Sequence, residues 1–270
     1  WSSAKFRRGM KAGISPSNLT FDPKSVLAMI FPVISFPGRN DWSVSPVISL
    51  KSLSPANVSI ELLHAEAAYI HELRWQMYNE DRGTGSWRTL HYANGKGNLY
   101  PTHGLGPVAQ YMNLARGEDN FKTLVSFSSP ALGRNIYSKK NFDENHKWNK
   151  LDFSNGDMNT SIIKTVLGRT VMVQWDETSP RPYSRLNLIQ GTLGTLAGFP
   201  TRVALENGFK DITKDHHSWI KGENLQKIYD EYDHPLYKRL NAKTKKSGHG
   251  GMDGIMMYRI VECLQKGLPL

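Results

Sequence analysis

Thr160-Ser161-Ile162-Ile163-Lys164-Thr165-Val166-Leu167-Gly168-Arg169-Thr170-Val171-Met172-Val173-Gln174-Trp175 is the stretch on which the fold turns. Two β-branched segments, Thr160–Leu167 and Thr170–Trp175, flank Gly168-Arg169 and predict a β-hairpin. Downstream, Leu186–Gln190, Thr195–Ala197 and Val203–Glu206 continue the strands, punctuated by Gly191, Gly194, Gly198 and Gly208. Trp219 to Leu240 has a helical pattern broken at His234-Pro235. A last helix is expected from about Met252 to Gln265, closed by Lys266-Gly267. A run of strands followed by terminal helices argues for an α+β fold with an open, mainly antiparallel sheet. Such a sheet can leave one face free.

Upstream, Leu62–Ile70 and Lys122–Phe127 read as strands. Residues 71–99 read as a long polar excursion with Arg82–Arg88 as its core, and 129–157 as an irregular charged loop. Residues 1–60 differ in texture: they hold no His and no Tyr, are rich in Ser and Pro, and form no clear βαβ unit. Two parts are therefore expected: an atypical, irregular segment over 1–60 and an α+β domain over 61–270.

Two glycine-flanked histidines carry the chemistry. In Tyr100-Pro101-Thr102-His103-Gly104-Leu105-Gly106-Pro107, His103 is expected at or next to a helix N-cap. That helix would run through Val108, Ala109, Met112, Leu114 and Ala115 and stop near Gly117. The positive end of a helix dipole favours neutral imidazole, and neutral imidazole beside a phenol can move protons. Ser247-Gly248-His249-Gly250-Gly251-Met252-Asp253 repeats the arrangement before the apolar run Ile255, Met256, Met257, Ile260, Val261 and Leu264.

Composition narrows the classes. Of 270 residues, 21% are charged and 39% hydrophobic, the balance of a globular chain. Cys263 is the only cysteine, so no intrachain disulfide can form, and its apolar helix predicts a buried small hydrophobe. The longest apolar run, 25–36, is too short to span a bilayer and contains Pro32. The net charge of +10 concentrates in residues 1–60, where seven basic residues meet two acidic ones. No nucleic-acid module accompanies that charge. Lys243, Lys245 and Lys246 read as a solvated loop. His216-His217 lack an obvious third ligand, and adjacent strand residues point apart, so no metal site is expected. Glu66, Glu72 and Asp176 are available carboxylates, but no spacing pairs them. His64, His71, His91, His146 and His234 read as structural or surface residues. Trp75, Trp87, Trp148, Trp175 and Trp219 could stack on a sugar or simply pack.

Six motifs occur in order: Ala65-Glu66-Ala67-Ala68-Tyr69, Ser86-Trp87-Arg88-Thr89, Tyr100 to Pro107, Arg181-Pro182-Tyr183 with Gln190-Gly191-Thr192, Tyr232-Asp233-His234-Pro235-Leu236, and Gly248 to Asp253. Together they resemble the C-terminal domain of glycoside hydrolase family 109, which includes α-N-acetylgalactosaminidases and belongs to the Gfo/Idh/MocA oxidoreductase-like group. The resemblance covers roughly residues 61–270. It implies an N-terminal Rossmann domain holding NAD and a C-terminal α+β domain that builds the sugar pocket. Residues 1–60 are too short for the Rossmann domain and lack its glycine fingerprint, so the chain is expected to be a fragment.

Carried over by motif, Tyr69, Arg88, Tyr100, Pro101, Thr102, His103 and Tyr183 would bind substrate, and Tyr100 would also meet the nicotinamide end of NAD. His249 matches a histidine near the family's active site. The implied route is oxidation, elimination, hydration and reduction, an exception to the paired-carboxylate rule of glycosidases. Within it, His103 with Tyr100 would serve the C3 hydroxyl, Tyr69 the C2 proton, and His249 the leaving group and water. Arg88 would orient sugar oxygens. The implied ligand is an amino-sugar glycoside, with a homo-oligomer formed through the open sheet. The alternatives are an NAD(P)-dependent sugar oxidoreductase of the same group and a non-catalytic sugar-binding fragment.

Overall fold

In a computed structural model of the chain, the structure describes residues 61–268 apart from 82–86, 116–118, 210–211 and 216. The expectations for 1–60, Arg82–Ser86, Gly117, His216 and the last two residues lie outside the described residues. The expected α+β class is present. Seven strands form one sheet: β1 (Leu62–Ile70), β2 (Phe121–Ser128), β3 (Met158–Thr165), β4 (Thr170–Asp176), β5 (Leu188–Gly191), β6 (Gly194–Ala197) and β7 (Arg202–Leu205). Their order is β2-β3-β4-β1-β5-β6-β7. Every neighbouring pair is antiparallel except β1 and β4, which run parallel. The β3–β4 hairpin closes over Gly168, whose φ of +86° a side chain would strain.

Six α-helices are described: α1 (Trp87–Asn94), α2 (Thr102–Tyr111), α3 (Gly133–Asn141), α4 (Asn224–Tyr232), α5 (Pro235–Thr244) and α6 (Met252–Lys266). The alternation along β1, β3 and β4 sends Ala65, Ala67, Ile163, Val171 and Val173 into one core. Val108 and Ala109 of α2, Met112 just past its end, and Leu225 and Ile228 of α4 pack into the same core. Helix α2 lies flush on β1 because Gly104 has no side chain: a Cβ there would stand 2.4 Å from the Ala68 nitrogen. A second core of Leu73, Met77, Tyr92, Trp148, Phe153 and Trp175 sits beside the first, with Tyr69 at the seam. The helical layer stops short of β2, every residue of which is exposed. Among the described residues, no helix is long and apolar enough to cross a membrane.

Several expectations need correction. Residues 71–99 hold a 3-10 turn at Arg74–Tyr78 and helix α1. The loop expected over 129–157 contains α3 and a 3-10 turn at Lys147–Lys150. Helix α3 buries Arg134 and Ser138 rather than an apolar stripe, so it lacks the usual periodicity. Its first amides, Leu132 N and Gly133 N, donate to Asp157 Oδ2, a cap supplied from 24 residues away. Helix α2 ends at Tyr111; Leu114 and Ala115 lie past it, where Leu114 bridges to Asp119. His103 is the second residue of that helix, inside its first turn, and the N-cap is Pro101. The helical pattern expected from Trp219 starts only at Asn224, because Ile220 exchanges backbone hydrogen bonds with Val203. His217 lies in no strand. The break at His234-Pro235 is real: His234 caps α5, its Nδ1 accepting from Leu236 N, with Pro235 first in the helix. Cys263 is buried, and Gly267 closes α6 at φ +60°.

Candidate active site

The parallel pair places the exits of β1 and β4 at the same end of the sheet, with Tyr69 beside Trp175 and Ile70 beside Asp176. Tyr69 shares the helix-covered face with Ala65 and Ala67, and the period-2 rule carries that face on to His71. Flush seating of α2 at Gly104 brings the neighbouring His103 ring to 5.0 Å from that of Tyr69. Tyr100, just before the helix, lies 4.9 Å from Tyr69 and 4.5 Å from His103, ring centre to ring centre. The chain between β4 and β5 returns to this corner through paired backbone hydrogen bonds between Ile70 and Ser184. That return sets the Tyr183 ring 5.0 Å from His71 and 6.2 Å from Tyr69.

A buried charge system underlies the cluster. Arg88 Nε donates to Glu177 Oε1 at 3.0 Å and Nη1 donates to Gln76 Oε1 at 3.1 Å. The same guanidinium lies 4.4 Å from the Trp87 ring and 5.4 Å from that of Tyr100. The Glu177 side chain is 1% exposed, and burial holds its carboxyl above the usual range despite Arg88 and Arg134. Burial, then the Glu177 carboxylate, push the Tyr69 phenol well above its ordinary value. Burial, then the Arg185 cation, with His249, Arg88 and His71 adding to it, bring His103 down to about 4. Burial and Arg88 lower His71 as well. At neutral pH the site therefore holds a protonated phenol and two neutral imidazoles. Tyr69 Oη and His71 Nδ1 stand 3.1 Å apart. Arg185 Nε donates to the Tyr183 hydroxyl at 2.5 Å, so that hydroxyl must point its own proton elsewhere. The Tyr100 hydroxyl and the ring nitrogens of His103 have no hydrogen-bond partner among the described residues.

Of the residues expected at the site, Tyr69, Tyr100, His103 and Tyr183 come together, and Arg88 adjoins them over Tyr100. Pro101 and Thr102 are exposed at the start of α2. His249 joins through charge, its field being felt at His103, while its own side-chain contact is to Asp253. His71, read from the sequence as structural or surface, lies against the cluster: its ring meets both Tyr69 and Tyr183. Its position two residues past Tyr69 was the signal that could have found it. Glu177 left no such trace, since its partner Arg88 is distant in sequence. Glu66 points to the sheet's other face near His64, Glu72 accepts from Arg74, and Asp176 accepts from Thr178 N and Ser179 N. Among the tryptophans, Trp87 lies beside Tyr100, whereas Trp175 is core, stacked on Tyr92.

The family model described as "Glycosyl hydrolase 109, C-terminal domain" matches residues 48–270, starting within the segment before residue 61. Glycosyl hydrolase family 109 protein 1 of Akkermansia muciniphila is 68% identical over 212 residues, covering 78% of this chain and 44% of that protein. Protein 2 of the same organism is 60% identical over 212 residues, with the same coverage. A family 109 protein of Shewanella baltica is 58% identical over 211 residues, covering 78% and 45%. The chain thus spans less than half the length of these curated relatives. Among solved structures, levoglucosan dehydrogenase in complex with NADH and levoglucosan aligns with a TM-score of 0.46 and 15% identity, covering 78% of this chain and 51% of that one. An NAD binding oxidoreductase from Klebsiella pneumoniae aligns with a TM-score of 0.43 and 16% identity, covering 76% and 49%. By the family match over most of its length and by relatives at 58–68% identity, the chain belongs to glycosyl hydrolase family 109, whose C-terminal domain it carries.

Proposed function

We propose that residues 61–270 form the substrate-binding domain of an NAD-dependent glycosidase acting on α-N-acetylgalactosaminides. The reading rests on one observation: proton-transfer groups converge as phenols and imidazoles, while the carboxylates at the exit of β4, Asp176 and Glu177, are buried and engaged. Glu177 is held by Arg88, and Asp176 by the Thr178 and Ser179 amides. The donor set fits a sugar that reacts through its hydroxyls and an acidified C–H. Tyr100 would meet the nicotinamide end of NAD. When bound, NAD supplies reversible hydride withdrawal at sugar C3, which acidifies the proton at C2.

The chain's own residues then have distinct duties. Neutral His103, with the Tyr100 hydroxyl beside it, takes and returns the C3 hydroxyl proton. Tyr69 stays protonated, so it serves the C2 position as a relay, passing its proton to His71 as it receives another. His249 serves the glycosidic oxygen and the water that replaces it. Arg88 offers Nη2 to a sugar oxygen, since Nε and Nη1 are engaged. Pro101, Thr102 and Tyr183 complete the binding edge. The uncovered sheet end, with Val125, Phe127 and Ile162 exposed on one face, would pair with a second copy of the chain.

The test is to incubate the complete, NAD-loaded enzyme with an aryl α-N-acetylgalactosaminide. Aglycone release without net NADH supports the reading. Accumulation of NADH without aglycone would instead mark a sugar oxidoreductase, and sugar binding without either would mark a non-catalytic binder.

A further inference from the structure

His249 Nδ1 lies 3.0 Å from both carboxylate oxygens of Asp253, in the turn that leads into α6. Three features of the backbone serve this contact. His249 holds φ at +53°, a left-handed conformation that costs a non-glycine residue about 1 kcal/mol or more. Gly250 and Gly251 follow at +66° and +104°, so the chain doubles back sharply before the helix starts. Gly248 leaves the space that the carboxylate fills: a Cβ there would lie 2.1 Å from Asp253 Oδ2. An acid in the first turn of a helix is ordinarily explained by the dipole. The dipole, however, calls for neither a left-handed histidine nor a bare neighbour.

We propose that Asp253 is a positioning residue that holds His249 in the Nδ1–H tautomer and reserves Nε2 for proton exchange with the glycosidic oxygen and water. This rests on the assignment of His249 to the site under the function proposed above. A carboxylate on Nδ1 fixes which ring nitrogen carries the proton. In cleavage, the imidazolium gives its Nε2 proton to the departing oxygen and becomes neutral. The bare Nε2 then takes a proton from the water whose hydroxide joins the sugar, and the imidazolium is restored. No net proton is consumed. His249 is well exposed, so Nε2 is within reach of a ligand, and its charge is felt at His103 across the site.

Long-range 1H–15N correlation of the histidine-labelled 270-residue chain tests the pairing, with His249 assigned by its loss in His249→Gln. In alkaline buffer, Nδ1 should appear protonated and Nε2 bare. Asp253→Ala should invert the populations towards the Nε2–H form that free imidazole prefers, with the remaining spectrum unmoved. Gly248→Ala, which keeps the carboxylate but displaces it, should do the same. A wild-type ring already in the Nε2–H form, or a pattern indifferent to both variants, overturns the dyad. A second arm uses the complete, NAD-loaded enzyme. Asp253→Ala and His249→Gln should lower turnover of an alkyl glycoside about 100-fold and that of a nitrophenyl glycoside less, because that leaving group needs no proton while the water step still uses Nε2. A dyad confirmed by NMR with turnover of both substrates unchanged would overturn the proton-transfer role of His249 itself.

Discussion

Gly104→Ala is the sharpest test of how the site is assembled. Helix propensity alone predicts a gain of about 1 kcal/mol, because alanine is the better helix former. The packing predicts the opposite. An added Cβ would stand 2.4, 2.6 and 2.8 Å from the backbone N, O and C of Ala68. These are backbone atoms of β1, near the centre of the sheet, and they cannot turn aside as a side chain could. Ordinary contact begins near 3.5 Å, so the helix must back away by about 1 Å. Overpacking of this kind costs about 3 kcal/mol at the upper end of its usual range. The net expectation is a loss of about 2 kcal/mol, or a fall in Tm of about 4–8 °C for a domain of this size. Because His103 is the next residue, its ring should leave Tyr69 as the helix rises, and ring-current shifts of the His103 protons in NMR should shrink. In the complete enzyme a 1 Å displacement of this group should cost about 100-fold in turnover. A variant as stable as wild type, with His103 shifts unchanged, would refute the account of α2 seated on β1 through Gly104.

The burial of His103, with the Arg185 cation beside it, makes stability depend on pH in a definite direction. Its ring sits at about 4 in the fold against an ordinary 6.5, so the unfolded chain takes up a proton that the folded chain refuses. The contribution is complete above pH 6.5 and declines as pH falls towards 4, by at most about 3 kcal/mol. Unfolding free energies measured between pH 7.5 and 4 should fall less steeply for His103→Gln, and an identical slope would be evidence against the shift. Arg88→Met strands the buried Glu177 carboxylate and should cost about 3 kcal/mol in urea unfolding, most of it recovered by adding Glu177→Gln. A loss below about 1 kcal/mol would show that Arg134 alone suffices to hold Glu177. For the uncovered sheet, Phe127→Glu with Val125→Lys should convert a dimer to a monomer in sedimentation without lowering Tm; unaltered mass would remove this face from the interface.

The sheet was legible because its strands announce themselves locally. Leu62–Ile70 has the bounds read from the sequence, and Gly168-Arg169 separates β3 from β4 as the turn chemistry requires. The small helices were not legible, for a physical reason. Helix α1 buries only Thr89 and Tyr92, α3 buries Arg134 and Ser138, and the cap of α3 comes from Asp157. For α3 no hydrophobic stripe or local cap was there to be read, since its stability is tertiary. The site divides in the same way. Tyr100 and His103 sit on one helix start, and glycine placement exposed them. His71 hid just past the end of a strand, while Glu177 acts through distant Arg88 and Tyr69, and Arg185 through its bond to Tyr183 and its charge on distant His103.

Those fields have a common effect despite their opposite signs. Burial first, then the Glu177 carboxylate, raises the Tyr69 phenol, and burial first, then the Arg185 and Arg88 guanidinium groups, lowers the His103 and His71 imidazoles. Each shift moves its group further from ionisation at neutral pH. Neutral phenols and imidazoles suit a neutral sugar, because those groups carry no charge to desolvate when the ligand enters. They also suit chemistry in which protons are exchanged between groups rather than stored on one of them. Arg88 and Glu177 contribute by cancelling each other directly beneath the cluster. Arg185, joined to the Tyr183 hydroxyl, leaves a positive bias beside His103. When negative charge develops on a sugar oxygen at this corner, that bias is already in place, and no group has to move to create it.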